Sequence, residues 1–179
     1  MDFFWIELIL GIPTILALLS MLVYAFVVGI SPIPSSKKAK TTMLSFIPKD
    51  NVGNVVDLGS GWGTLVFAIS KKFPQSNVTG YEVSPLPWLY SILINSILRR
   101  KNLTIHRKNI FDVCLSKVNV VVCYLHPSAM AKLTLKFEKE LPKGTLILCN
   151  TFPIPSWTPK QVYFIGGVFS RKIYVYEIK

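Results

Sequence analysis

An α/β fold with a doubly wound, mainly parallel sheet is what this sequence predicts, and three observations carry the prediction. From Asn54 onward, short apolar runs alternate with segments of helical period, the pattern of strands joined by crossover helices. The first run leads into "DLGSGWG", three glycines in five positions, where a strand turns sharply into a helix and the backbone needs positive φ. Two late runs, Val162–Ile165 and Lys172–Glu177, flank "GGVFSR" and read as a C-terminal β-hairpin.

The elements follow in chain order. Leu8–Ile30 is 23 residues without a charge, which as a helix spans about 34 Å at 1.5 Å per residue. That exceeds the hydrocarbon core of a bilayer, roughly 30 Å thick. The residues before it carry Asp2 and Glu7 rather than the cations of a secretory leader, and the run is too long for a leader's apolar stretch. Its apolarity extends all round, unlike the one-sided stripe of a helix on a soluble core, and Pro13 sits in the first turns, where a membrane helix tolerates it. The expectation is a single N-terminal transmembrane helix within residues 1–30. Lys37, Lys38 and Lys40 stand just beyond it, so the positive-inside rule places the C-terminal side in the cytoplasm or a matrix-like compartment.

Residues 31–48 read as a connector. Within it "SPIPSSKKAKTT", Ser31–Thr42, is expected to be extended, because Ile33 precedes Pro34. Residues 49–179 form the main domain, with strands at Asn54–Asp57, Asn77–Tyr81, Leu103–His106, Val118–Tyr124 and Thr145–Asn150. Helices lie between them near Thr64–Lys72, Pro85–Arg100 and Ser128–Leu141. Five residues between Asp112 and Val118 are too few for a full helix in the third crossover.

The net charge is +11, of which the first forty residues contribute +1 and the rest +10. Clusters such as Arg99-Arg100-Lys101 and Arg107-Lys108 have no nucleic-acid-binding motif around them. For an anchored domain the simpler partner is an anionic lipid surface, which attracts each nearby cation by about 1 kcal/mol; nucleic acid is disfavoured. Cys114, Cys123 and Cys149 are odd in number and lack metal or redox spacing, so buried free thiols in a reducing compartment are expected. No metal site is predicted.

The glycines identify the ligand class. A dinucleotide fingerprint needs Gly-x-Gly-x-x-Gly, but the spacing here is Gly59-x-Gly61-x-Gly63, with Thr64 where the third glycine would stand. No Gly-Lys-Ser/Thr phosphate loop follows. Asp57, two residues before Gly59, repels a pyrophosphate and suits a cationic or hydroxyl-bearing ligand. Glu82 ends the second strand, where an acid chelates ribose hydroxyls. Two acids and a glycine turn fit a nucleoside ligand without phosphates, and S-adenosylmethionine is one.

"VVDLGSGWG" and "GYEVSP" resemble the first motif and acidic loop of class I, seven-strand methyltransferases, which implies a Rossmann-like fold. "SPIPSS", "VVVCYLHP" and "LPKGTLILCNTFPIPSWTP" narrow the resemblance to the membrane-anchored protein-lysine methyltransferases. Known members of that group modify lysines of mitochondrial membrane proteins, among them the ADP/ATP carrier and the ATP synthase c-subunit. The glycine motif is specific to the superfamily only; the segment Phe152–Pro159 is the more diagnostic piece. The chain departs from the family at Trp62, where many members carry an acid.

Carried over by residue, the resemblance implies that Asp57, Gly59, Ser60, Gly61 and Gly63 hold the methionine end of S-adenosylmethionine and Glu82 the ribose. It places Asn109 and Ile110 along the adenine, and Tyr124, Leu125 and His126 around the transfer site. Phe152 and Trp157 are expected to line the acceptor channel, with Trp157 at its rim. Each has a plainer reading: Asp57 as a helix cap, Glu82 as a surface acid, His126 as a structural neighbour of Pro127, and the Phe152–Trp157 aromatics as packing. The implied activity is methylation of a membrane-protein lysine. A methyltransferase for a lipid or quinone, and a non-enzymatic membrane-anchored binding module, are the alternatives; nothing in the residues themselves reports the acceptor.

Overall fold

Seven strands form one sheet: β1 (Asn54–Leu58), β2 (Asn77–Glu82), β3 (Leu103–Arg107), β4 (Val120–Cys123), β5 (Leu146–Asn150), β6 (Gln161–Gly166) and β7 (Arg171–Glu177). Their order across the sheet is β3-β2-β1-β4-β5-β7-β6. β1 to β5 are parallel, and β7 enters antiparallel between β5 and β6, closing the predicted hairpin. The computed structural model describes residues 7, 11, 12, 14, 15, 35–49, 52–166 and 171–179. Among these no helix is long and apolar enough to cross a membrane; the predicted span, Leu8–Ile30, falls almost wholly outside the described residues.

β1 sits at the centre, with Val55 opposite Val78 of β2 on one side and Val120 of β4 on the other. Strands buried on both faces read as continuous apolar runs, which is why "NVVDL" and "VVVC" show no alternation. Successive side chains still point to opposite layers. Val55 and Val120 join the layer beneath α1 (Lys37–Phe46), α2 (Thr64–Lys72) and α3 (Pro85–Leu98). Val56 and Val121 join Met130, Leu133 and Phe137 of α4 (Pro127–Glu140) on the other face. Winding reverses between β1 and β4, so a crevice opens at the carboxyl ends of those strands, the usual ligand position in an open α/β sheet.

α1 corrects the sequence reading of an extended stretch at Ser31–Thr42. Ser36 caps the helix, its Oγ accepting the Ala39 amide at 3.1 Å. Ala39, Met43 and Ile47 repeat at helical spacing and are buried against the sheet. Pro32 and Pro34 precede the cap, where they cannot break the helix. Ser35 Oγ lies 3.4 Å from Nδ2 of Asn150, the last residue of β5, so the chain enters the domain at the sheet's carboxyl edge. At the far end of α1, Lys72 Nζ donates to the Leu44 carbonyl at 2.9 Å, tying the helix to α2.

Smaller differences have local causes. α3 stops at Leu98 because Arg99 adopts a left-handed conformation, φ 50°, and its amide closes on the Asn95 carbonyl. The short third crossover forms a single 3-10 turn at Ile110–Asp112, capped by the Asn109 side chain. Cys123 and Cys149 face each other across β4 and β5, buried, with sulfurs 3.5 Å apart. The third thiol is not buried as expected: Cys114 is exposed and bonded to Ser116 Oγ, because the crossover it occupies is too short to cover it.

Candidate active site

The glycine turn is held to the end of β2 by its own amides. Gly59 N and Ser60 N both donate to the Tyr81 carbonyl at 2.9 Å, and Gly63 N donates to the Ser60 carbonyl. All three glycines take positive φ, 79°, 53° and 77° for Gly59, Gly61 and Gly63, where a side chain is strained. Space forbids one as well: a Cβ on Gly63 would lie 2.5 Å from the Phe67 ring, and one on Gly59 2.7 Å from Leu125.

Glu82 completes the turn. Its Oε2 accepts the Gly61 amide and its Oε1 the Ser84 amide, each at 2.7 Å, while the side chain is buried. The carboxylate therefore links the glycine turn to the start of α3, which excludes the plain surface acid. Each oxygen keeps a further lone-pair site, so the group can still accept hydroxyl protons from a ligand.

Asp57 stands below the turn, buried in β1 opposite Gly80 of β2. Burial, aided by the charge of Glu82, pushes its carboxyl up to about 8. An unfolded Asp titrates near 3.9, so between these values the folded chain binds the extra proton. Stability then falls as pH rises from about 4 to about 8, with a slope approaching about 1.4 kcal/mol per pH unit. Urea unfolding of the full chain across that range should show the decline, and Asp57→Asn should flatten it; an unchanged profile would place the titration elsewhere.

A cleft of about 210 Å³ opens beside the turn, lined by Gly59, Glu82, Asn109, Ile110, Leu125 and Lys132 among others. Five sequence-predicted residues thus converge: Gly59, Glu82, Asn109, Ile110 and Leu125. Asn109 holds its backbone through its own side chain, Oδ1 accepting the Phe111 amide at 3.1 Å. Ser60 does not line the cleft; its hydroxyl lies against Gly80 of β2, buried and with no hydrogen-bond partner among the described residues. Trp62, in the turn, meets Tyr90 of α3 edge-on with ring centroids 5.4 Å apart.

Val83, Phe111, Ser128, Ala129 and Lys132 also line the cleft, and the sequence reading did not single them out. Ser128, Ala129 and Lys132 occupy the first two turns of α4 with helical spacing, a signal available once α4 is placed after β4. Lys132 lies over the Phe111 ring, 5.9 Å from its centroid.

At the carboxyl ends of β4 and β5 three rings gather. Tyr124 stacks on Phe152 at 6.3 Å, and His126 lies tilted against the same ring at 6.2 Å. His126 is also the N-cap of α4, its Nδ1 accepting the Ser128 amide at 3.4 Å, which gives it a structural duty. Leu125 joins this group to the cleft in sequence and in space.

Trp157 is the exception. Its indole donates to Glu138 Oε1 at 3.1 Å and meets Tyr176 edge-on at 6.0 Å. Both partners lie toward the amino edge of the parallel strands, since Tyr176 pairs with Ile147 near the start of β5 and Glu138 lies in the last turn of α4. The segment after β5 descends along α4, with Ile154 buried and its amide donating to the Tyr176 hydroxyl at 3.0 Å. Trp157 is therefore a packing residue away from the transfer site, correcting the expectation that it forms the channel rim.

The cleft chemistry suits a neutral-to-cationic nucleoside. It offers a buried carboxylate at one end, apolar walls at Ile110, Phe111, Leu125 and Ala129, and backbone exposed at Gly59. The turn amides are spent on Tyr81, Ser60 and Glu82, so they form no phosphate cradle.

Residues 57–161 match the sequence profile of the ANTKMT methyltransferase domain. A protein-lysine N-methyltransferase of Saccharolobus islandicus is 28% identical over 158 residues, covering 86% of this chain and 97% of that protein. The mouse adenine nucleotide translocase lysine N-methyltransferase is 31% identical over 129 residues, 70% of this chain. There the chain spans about half of the relative's length, 54%. Among solved structures, an RNA methyltransferase from Salinibacter ruber, in complex with S-adenosyl-L-homocysteine, superposes with a TM-score of 0.74 at 22% identity, over 82% of this chain and 94% of that one.

Proposed function

Because the chain belongs to the ANTKMT methyltransferase domain family, and is thus an S-adenosylmethionine-dependent methyltransferase, we propose that its acceptor is a lysine of a membrane protein. The cleft at the β1–β4 switch point, where Glu82 grips the glycine turn, supports the cofactor side of this reading; the acceptor side rests on the relatives. The similar proteins from Saccharolobus islandicus and mouse are both named lysine methyltransferases.

S-adenosylmethionine supplies, when bound, a methyl group activated by its sulfonium. Glu82 takes the ribose hydroxyls, the Gly59–Gly63 turn and Asp57 the methionine end, and Asn109 and Ile110 flank the adenine. Asp57 holds a proton at neutral pH in the free chain, and a cationic ligand nearby favours its release. Tyr124, Phe152 and His126 form the aromatic wall against which the acceptor stem lies. A free lysine ammonium titrates near 10.4; an apolar, ring-lined approach disfavours its charged form. The neutral amine then needs no dedicated base, and the contribution of the site is proximity and alignment, about 7–11 kcal/mol for well-oriented reactants.

We assign residues 1–30 to a single transmembrane anchor and residues 49–179, together with α1 packed into their core, to the methyltransferase domain, on the cytoplasmic or matrix side. The carboxyl-edge entry of the chain, beside Asn150, supports this arrangement because it brings the anchor to the edge that carries the cleft. At most about 3.3–3.6 Å per residue can separate span from domain, and α1 begins at Lys37. The tether is accordingly short, and a bilayer-embedded acceptor is met at high effective concentration.

Deleting residues 1–34 leaves the Ser36 cap and the buried Ala39 and Met43 in place. The truncated chain should bind S-adenosylhomocysteine with unchanged affinity by calorimetry, and should methylate membrane-protein acceptors at least about tenfold more slowly, the effective-concentration advantage being lost. Equal rates for both forms would remove the tether from the account.

A further inference from the structure

The α1–α3 layer and α4 cover opposite faces of the sheet, and they differ in chemistry. α1, α2 and α3 contain no acidic residue. Exposed cations stand on the layer, Lys37 and Lys38 on α1 and Lys71 and Lys72 on α2, and Arg99 and Lys101 directly follow α3. α4, on the other face, mixes its charges, carrying Glu138 and Glu140 among Lys132, Lys136 and Lys139.

α3 is the unusual element. Its sequence, PLPWLYSILINSIL, has no charge at all, and only Pro87 and Ser91 of it are buried. Leu89, Tyr90, Leu93, Ile97 and Leu98 are exposed, Leu93 by 54% and Ile97 by 73%. Residues 86, 89, 90, 93 and 97 follow one helical stripe, so the outward face is as apolar as the inward one. A helix on a water-facing surface alternates its faces; one apolar all round has apolar surroundings. Contiguous exposed apolar surface on a folded domain marks an interaction site.

We propose that the outward face of α3, with the cations around it, lies on an anionic phospholipid bilayer. An apolar stripe with exposed cations at its C-terminal end, on a layer whose helices carry no acid, matches lipid chains bordered by anionic headgroups. The chain outside the described residues points the same way, since the uncharged Leu8–Ile30 run joins the domain through α1 of this layer. This inference rests on the membrane-anchor reading and adds to it a defined docking face, which fixes how the domain is turned on the bilayer.

The test uses the full chain in vesicles. Exposed Cys114 is replaced by Ser, which leaves Cys123 and Cys149 buried, and an environment-sensitive fluorophore is placed through Ile97→Cys or, as control, Leu135→Cys. Leu135 is as exposed, at 72%, but lies on α4. In equimolar phosphatidylcholine–phosphatidylglycerol vesicles the label at 97 should brighten and be quenched by brominated lipid, as expected for a residue at the headgroup–acyl boundary, and the label at 135 should do neither. Phosphatidylcholine alone should reduce the effect at 97, and equal quenching there would overturn the assignment to an anionic surface. A label at 97 that stays water-exposed in a chain resisting carbonate extraction overturns this inference and leaves the anchor standing. A chain that carbonate releases from the vesicles overturns the anchor reading instead. A label at 97 that is shielded but insensitive to brominated lipid means that another copy, or residues 1–34, covers α3, and the inference fails.

Discussion

Glu82→Ala should lower the affinity for S-adenosylmethionine by at least about 100-fold, equivalent to about 2.7 kcal/mol. Two effects add. The substitution removes the carboxylate assigned to the ribose, and it releases the Gly61 and Ser84 amides that the carboxylate now holds at 2.7 Å. Hydrogen bonds to a charged group contribute about 1.5–3 kcal/mol each, so the turn itself should loosen. Glu82→Gln separates the effects: the amide keeps one acceptor oxygen, and its NH2 cannot accept from either backbone amide. Calorimetric titration with S-adenosylhomocysteine should rank the wild type above Gln and Gln above Ala. Equal affinities across the three would remove Glu82 from the cofactor site.

Gly61→Arg should abolish cofactor binding while the sheet remains folded. Gly61 has φ 53°, a conformation that costs a residue with a Cβ roughly 1–2 kcal/mol. Its amide is bonded to Glu82, so the new guanidinium arises next to that carboxylate and competes for it. The side chain also fills the turn against which the ligand lies. Far-ultraviolet circular dichroism should show native secondary structure, since the layers beneath Val55 and Val56 do not involve this position. Retained affinity in a folded Gly61→Arg chain would contradict the placement of the methionine end on the turn.

What the sequence made legible, and what it did not, follows from how local each signal is. The β1–turn–α2 unit was readable because its determinants are adjacent: an apolar run, three glycines that need positive φ, and a helix beginning at Thr64 as expected. The hairpin was readable for the same reason. α1 was missed because Pro32, Pro34 and a lysine cluster read as a linker, although Ser36 and the Ala39–Met43–Ile47 spacing already contained the cap and the buried stripe. The place of Trp157 is not legible in the sequence, because it depends on the path of an irregular segment with no period. Only the packing of Ile154 on Tyr176 and the bond to Glu138 show that this path descends along α4. The two amide bonds of Glu82 are equally hidden, because they reach Gly61 in the glycine turn and Ser84 at the start of α3.

The fold also separates cofactor chemistry from acceptor choice. The cleft residues are set by β1, β2, the 3-10 turn and the start of α4, elements that any class I methyltransferase sheet supplies. In this chain the cleft lies at the same sheet edge as Ser35, which sits beside Asn150 at the end of β5. Fold alone does not fix function, and the proposed acceptor in the plane of the bilayer rests on this placement together with the proposed anchor.

The most direct measurement is the fate of the transferred methyl group. Membranes containing the full chain and their own proteins are incubated with methyl-labelled S-adenosylmethionine, then separated into lipid extract and protein, and the protein is hydrolysed to amino acids. The account predicts label in methylated lysine of the membrane-protein fraction, abolished by Gly61→Arg. Label confined to the lipid extract, or to soluble proteins, would contradict it.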